Sequence, residues 1–134
     1  MKRSSSLLAA VVVAVAITIT GSAEAAQLTT PSLFIVAFPT TVDCMVTNVS
    51  SVPRDVNITI LRSAGTGAAP AAVAGSSGVV NVAAGGVLSH RESIATNAYV
   101  YCEIDVTGVK GTVRGSMCAE SASFPGCSTT VVAE

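Results

Sequence analysis

Apolar and polar residues alternate along much of this chain, with the two-residue period of a strand that buries one face. In residues 54–62, Val56, Ile58 and Ile60 share one face. Residues 98–108 are apolar on one face, and the other face carries Tyr99, Tyr101, Glu103 and Asp105. The pattern predicts strands with one face buried in the protein and the other exposed to solvent.

Turn signals separate these strands at short intervals, at residues 48–53, 83–86 and 108–111. About seven or eight short strands at this spacing predict an all-β fold, an antiparallel β-sandwich of immunoglobulin-like shape. The further strands are expected at 32–38, 41–49, 78–82, 87–94, 112–118 and 128–133. Residues 63–77 are nearly all small, and we interpret them as a mobile loop between two strands.

The N-terminal segment has the features of a secretory signal peptide. Lys2 and Arg3 precede the apolar residues 7–19, a run shorter than the roughly 20 residues that span a membrane. Small residues around Ala25 then match a cleavage site. We therefore predict a cleaved signal peptide at 1–25, one domain at 26–134 and a secreted or periplasmic protein without a stable membrane anchor.

Charge narrows the range of partners. Residues 26–134 carry five basic and seven acidic side chains, a formal charge of −2. The basic residues are scattered, whereas binding of nucleic acid or of an anionic membrane relies on clustered Lys and Arg. The composition therefore argues against nucleic acid as a partner.

Four cysteines in a short secreted chain favour disulfide bonds, and three pairings are possible. Cys44 and Cys102 lie among residues of apolar strand faces, which suits a bridge through the core. Cys118 and Cys127 flank a short segment that contains Pro125 and Gly126. We predict the pairs Cys44 with Cys102 and Cys118 with Cys127, as structural bonds rather than reactive thiols.

The residue types offer little for catalysis or metal binding. No C-x-x-C motif is present and His90 is the one histidine, so zinc, blue-copper and redox sites lack their ligands. Alternation places His90 with Glu92 on what we interpret as the exposed polar face of an edge strand. Glu103 and Asp105 lie two residues apart on one strand face, an arrangement that a glycosidase pair could share. We expect no catalytic residues, no cofactor and no metal.

Two sequence blocks carry a resemblance to known proteins. Residues 44–50 read C-M-V-T-N-V-S, and the later segments are Y-C at 101–102, V-T-G-V-K at 106–110 and V-R-G-S-M-C at 113–118. In this order they resemble a group of small, secreted, disulfide-bonded bacterial proteins that are largely uncharacterised. The resemblance implies an exported β-sandwich and supplies no catalytic residue.

The expected function is binding of a protein partner or a surface, without enzymatic activity. An alternative is a hydrolase or protease inhibitor that presents the disulfide-closed segment 118–127, because a rigid loop loses less entropy on binding. Neither the partner nor the oligomeric state can be read from the sequence.

Overall fold

The computed structural model describes residues 25–36, 40–63, 65, 71–121 and 124–132, with side chains as far as residue 120. The predicted signal peptide lies outside these residues except for Ala25, which begins the first strand. The strands are β1 (Ala25–Thr29), β2 (Leu33–Ile35), β3 (Thr40–Asn48), β4 (Arg54–Ser63), β5 (Ala72–Val82), β6 (Val87–Ile94), β7 (Ala98–Thr107), β8 (Val113–Ser121) and β9 (Phe124–Val132). Within the described residues, one 3-10 turn, Lys110–Thr112, precedes β8. The predicted all-β, antiparallel architecture is confirmed.

The strands form two antiparallel sheets. Sheet 1 has the order β1-β7-β4-β5, and β2 also pairs with β7; sheet 2 has the order β6-β3-β8-β9. Because β1 pairs with residues 103–107 of β7 and β2 with residues 98–100, these two strands act as one interrupted edge. Among the described residues, the strands thus occupy eight positions, four in each sheet.

One core lies between the sheets. The inward faces of β4 and β7 contribute an unbroken alternation of buried residues, including Val56, Ile58, Ile60 and Ile104. From sheet 2, Val42, Val46, Val113 and Met117 join the same cluster. The alternation read from the sequence therefore marks the core face of these strands, because each inward side chain removes apolar area from water.

The prediction of a mobile loop at 63–77 is wrong for residues 72–77. Residues 72–77 belong to β5, which pairs with β4 through Leu61 opposite Val73 and Thr59 opposite Ser76. Small side chains favour a loop because they bury little surface, yet pairing with the backbone of β4 holds these residues in a strand. Residues 64 and 66–70 lie outside the described part of the chain.

Other strand predictions need smaller corrections. β1 was not predicted, β5 begins six residues before the expected position 78, and β9 begins four residues before the expected 128. The strand expected at 32–38 is described only as β2, since residues 37–39 lie outside the described range. The turns at 83–86 and 108–111 are confirmed, with positive φ angles of 71° at Gly85 and 108° at Gly108.

Candidate functional site

The cysteine pair Cys44–Cys102 is a structural disulfide, as predicted. It joins β3 of sheet 2 to β7 of sheet 1, with a Cα–Cα distance of 6.2 Å. Both residues are fully buried within the core cluster. A bond in this place links the two sheets and offers no exposed sulfur for chemistry.

Cys118 is buried on β8 and is not a free thiol. It lies directly opposite Asp43, on the outer face of sheet 2. The side chain of Cys127 lies outside the described residues, so the Cys118–Cys127 bond stays a prediction. The segment between them is not an open loop in its described part, because residues 119–121 and 124–127 belong to the paired strands β8 and β9.

His90 does not lie on an exposed polar face, and that prediction was wrong. Its neighbour on β3 is Cys44, so its side chain faces the space between the sheets and is only 18% exposed. The Nε2 atom is buried and makes no hydrogen bond within the described part, although Glu92 Oε1 lies 3.3 Å away. The signal was present in the sequence, since Leu88 and Ile94, which pack on the core, have the same parity as His90 and Glu92.

The His90–Glu92 pair is packed against β5. A Cβ atom at Gly75 would clash with the carboxylate end of Glu92, which lies against the glycine backbone. Ser89 points to the opposite face, where its Oγ donates a hydrogen bond to Asp43. A Ser-His-acid triad needs the serine hydroxyl on the imidazole. These residues therefore do not form one.

Asp43 forms a polar cluster that the sequence analysis missed. It is only 4% exposed on the outer face of sheet 2. Its carboxylate accepts hydrogen bonds from Ser89 Oγ at 2.6 Å and Arg91 Nε at 2.8 Å, and Arg91 Nη2 lies 2.7 Å away. The hydrogen bond and charge of Asp43, with a further contribution from Glu120, raise the pKa of Arg91. Two strands are thus joined across the sheet by a charge-assisted contact.

We expect Asp43→Asn to lower the free energy of unfolding by about 1.5 kcal/mol, because hydrogen bonds to a buried charged group are worth more than neutral ones. Urea unfolding measures the loss. Asp55→Asn is the matched control, since Asp55 is exposed and accepts one hydrogen bond, from Asn81 Nδ2. An equal change in both variants would contradict a structural role for Asp43.

Glu103 and Asp105 lie on the outer face of sheet 1, as the alternation predicted. Asp105 Oδ1 accepts a hydrogen bond from Gln27 Nε2 at 3.1 Å. Beside it is a depression of about 110 Å³ lined by Ala25, Asp55, Asn57, Val79, Asp105, Val106 and Thr107. His90 belongs to the other sheet and faces inward. The structure therefore does not bring the three candidate catalytic residues together.

The aromatic residues share the face that carries Glu103 and Asp105. Tyr99 and Tyr101 precede these carboxylates on β7, and Phe34 of β2 contacts Tyr99 with ring centroids 4.9 Å apart. Phe34 is 53% exposed, and both tyrosines are partly exposed. Among the side chains that the structure describes, no aromatic residue belongs to the core. We call the surface formed by Phe34, Tyr99, Tyr101, Glu103 and Asp105 the β7 face.

The charge of this surface has one sign. Asp55 of the neighbouring strand β4 adds a third carboxylate on the same side of sheet 1. The side chains that alternate outward from β1, β4, β5 and β7 within the described residues include no lysine or arginine. The β7 face therefore combines apolar rings with acidic groups.

The side chain of Asn48 forms hydrogen bonds with two neighbouring connections between strands. Its fully buried Nδ2 donates to the carbonyl oxygens of Val52, Val82 and Ala83, and its Oδ1 accepts from the backbone N–H and hydroxyl of Ser50. Its backbone also bonds to Gly85 and Gly86. One side chain thus connects the β3–β4 loop to the β5–β6 turn.

No group of histidine, cysteine and acidic side chains that could hold a metal ion occurs among the described residues. The same part of the chain contains no helix long and apolar enough to span a membrane. No protein-family model, no curated protein and no solved structure shows significant similarity to this chain.

Proposed function

We propose that this chain is an exported, non-enzymatic binding domain that recognises a protein partner through the β7 face. One observation carries the proposal: all aromatic side chains described lie on this face, and none lies in the core. Aromatic residues dominate the energetics of cores and of interfaces. A small domain that builds its core from Ile, Val, Met and Cys and keeps Tyr and Phe outside has them in place for binding.

The charge of the face indicates the chemistry of the partner. Glu103, Asp105 and Asp55 lie on the same side of sheet 1 as the rings, and the described outward positions of these strands carry no lysine or arginine. Complementary potentials speed association and exclude wrong partners. The partner that fits is a protein surface with an apolar centre and Lys or Arg at its edge.

The proposal also includes an immunoglobulin-like arrangement of the two sheets, a second disulfide bond and export of the protein. Four strand positions in each sheet and a core disulfide between the sheets support an immunoglobulin-like sandwich. Cys118 and Cys127 belong to neighbouring strands of one sheet, which supports a second bond between them. Export is supported by the disulfide, because such bonds persist in oxidising compartments. The resemblance to small secreted bacterial proteins stays a prediction.

The inhibitor alternative also stays a prediction, but the described part of the structure does not contain the open loop on which it relies. An inhibitor was expected to present a loop between Cys118 and Cys127, but the described residues of this segment form paired strands. Residues 122 and 123 lie outside the described part of the chain.

A capture experiment with matched variants tests the β7 face. Immobilised protein is exposed to the envelope and medium fractions of the source organism, and retained proteins are quantified by mass spectrometry. We expect one protein to be retained equally by the wild type and by the control Val87→Ser. The same protein is expected to bind at least tenfold more weakly to Tyr99→Ser/Tyr101→Ser, because tyrosines that become buried at an interface are frequent hot spots. Val87 is an exposed residue of sheet 2.

The purified partner then allows a test of charge. Binding to the wild type is expected to weaken as salt rises, and binding to Glu103→Gln/Asp105→Asn to depend less on salt. Equal retention by all variants would contradict the assignment of the β7 face. Turnover of a substrate that is lost in these same variants would contradict the non-enzymatic role.

A further inference from the structure

β5 is an exposed edge strand. Within the described part of the chain it pairs with β4 alone, and it forms the end of sheet 1. Seven of its eleven residues are exposed. Val73, Val79 and Val80 have exposed fractions of 62%, 75% and 36%. An edge of this kind presents backbone N–H and C=O groups that another strand can pair with.

The other sheet edges carry features that oppose strand addition. β6 includes Arg91 and Glu92, which add charge. The edge formed by β1 and β2 is interrupted, and Pro31 lies in the gap. β9 contains Pro125, which has no N–H to donate. Charged residues and prolines are the usual protection of edge strands.

β5 has neither form of protection. Its sequence, AVAGSSGVVNV, contains no charged residue and no proline. The strand is distorted in the middle, where Gly78 has a φ angle of 66° and the register with β4 shifts between Asn57 and Thr59. Beyond the distortion, residues 79–82 pair one by one with residues 57–54 of β4. This regular segment is the part able to accept a new strand.

We propose that the segment 79–82 of β5 pairs antiparallel with the same segment of a second copy of this chain, about a two-fold axis close to Val80. Such a pair is self-complementary, as a two-fold interface requires. A charged edge would repel its own copy, whereas this edge is neutral and β-branched. Cross-strand contacts between such residues stabilise a sheet.

The arrangement accounts for the exposure of Val80. Val80 has the parity of the core residue Val82 and lies opposite Val56, yet 36% of it remains accessible because sheet 1 ends there. A strand added by the second copy would cover this residue and extend the sheet to eight strand positions. The short contact predicts a weak dimer with a dissociation constant on the order of 10 μM.

Sedimentation equilibrium of the purified protein across a wide range of micromolar concentrations tests the proposal. We expect a reversible monomer–dimer equilibrium in the wild type, weakened at least tenfold in Val79→Lys and in Val80→Lys. The control Val87→Lys adds the same charge to an exposed valine of β6 and is expected to dimerise as the wild type does. Urea unfolding of each variant confirms that it is folded; Val79 is 75% exposed, so its replacement leaves the core intact.

Two results would overturn the proposal. One is a wild-type protein that stays monomeric over the whole range. The other is a dimer that Val79→Lys and Val80→Lys leave unchanged, which would place the contact elsewhere. Binding through the β7 face is measured separately, so either outcome leaves the test of the proposed function intact.

Discussion

Replacing both Cys44 and Cys102 by alanine is expected to lower the free energy of unfolding by about 4 kcal/mol. The bond closes a loop of 58 residues, and in the chain-entropy model a cross-link of that length restricts the unfolded chain by about this amount. Domains of this kind have about 5 to 15 kcal/mol of stability in total. The variant is therefore expected to be close to unfolding at physiological temperature.

Urea unfolding of the oxidised wild type and of Cys44→Ala/Cys102→Ala measures this effect. A second signature separates the cross-link from lost packing: without the bond the unfolded chain expands, so the dependence of unfolding free energy on urea becomes steeper. Val46→Ala is the control, because Val46 is fully buried in the same core and its replacement leaves the bond intact. A loss below about 1 kcal/mol, or the same urea dependence in both proteins, would contradict the role assigned to the bond.

Asn48→Ala is expected to cost about 3 kcal/mol of stability. The side chain is fully buried, and its removal leaves the carbonyls of Val52, Val82 and Ala83 without this donor. Each buried polar group that loses its partner costs about 1 to 3 kcal/mol. The loss should be accompanied by faster amide exchange in the β3–β4 loop and the β5–β6 turn, which Asn48 connects.

Asn81→Ala is the matched control, and it is expected to change stability by no more than about 0.5 kcal/mol, because Asn81 is exposed on β5. Asn48→Asp is more informative still. It preserves the size of the side chain but directs a carboxylate at three carbonyl oxygens, which raises the pKa of the introduced carboxyl in the folded state.

The sign of the pH dependence of Asn48→Asp follows from that shift. A folded state that holds the proton more tightly is favoured at low pH, so the stability deficit should be smallest near pH 4 and grow as the pH rises. A deficit that does not change with pH would show that the amide donors of Asn48 are not what the loop and the turn depend on.

The β7 face and the β5 edge are adjoining surfaces of sheet 1, since Asp105 and Val79 line the same depression. The first uses aromatic rings and carboxylates on the flat of the sheet, and the second uses backbone groups at its end. A dimer formed through β5 would place two β7 faces in one extended sheet. Two weak contacts presented together bind a repetitive partner more tightly than one contact does.

Local pattern was sufficient for the class of the fold. Val56, Ile58 and Ile60 have the same alternation in the sequence and in the core, because the two-residue period of a strand depends on nothing beyond the strand itself. The Cys44–Cys102 bond was predictable for the same reason, since both residues lie on apolar faces. The β7 face was visible as the polar half of one strand, although Phe34 was not yet placed beside Tyr99.

Only the tertiary structure decided which strands are neighbours, and most of the site chemistry depends on that. Asn48 donates to carbonyls that lie 34 and 35 residues away, and Asp43 accepts from Arg91 across 48 residues. The inward position of His90 and the strand formed by the small residues of β5 likewise depend on a partner strand. The sequence by itself determined which face of each strand is apolar, because that is a local property. The pairing of strands depends on contacts between residues that are far apart in the sequence, and these contacts form only when the two sheets pack on one core.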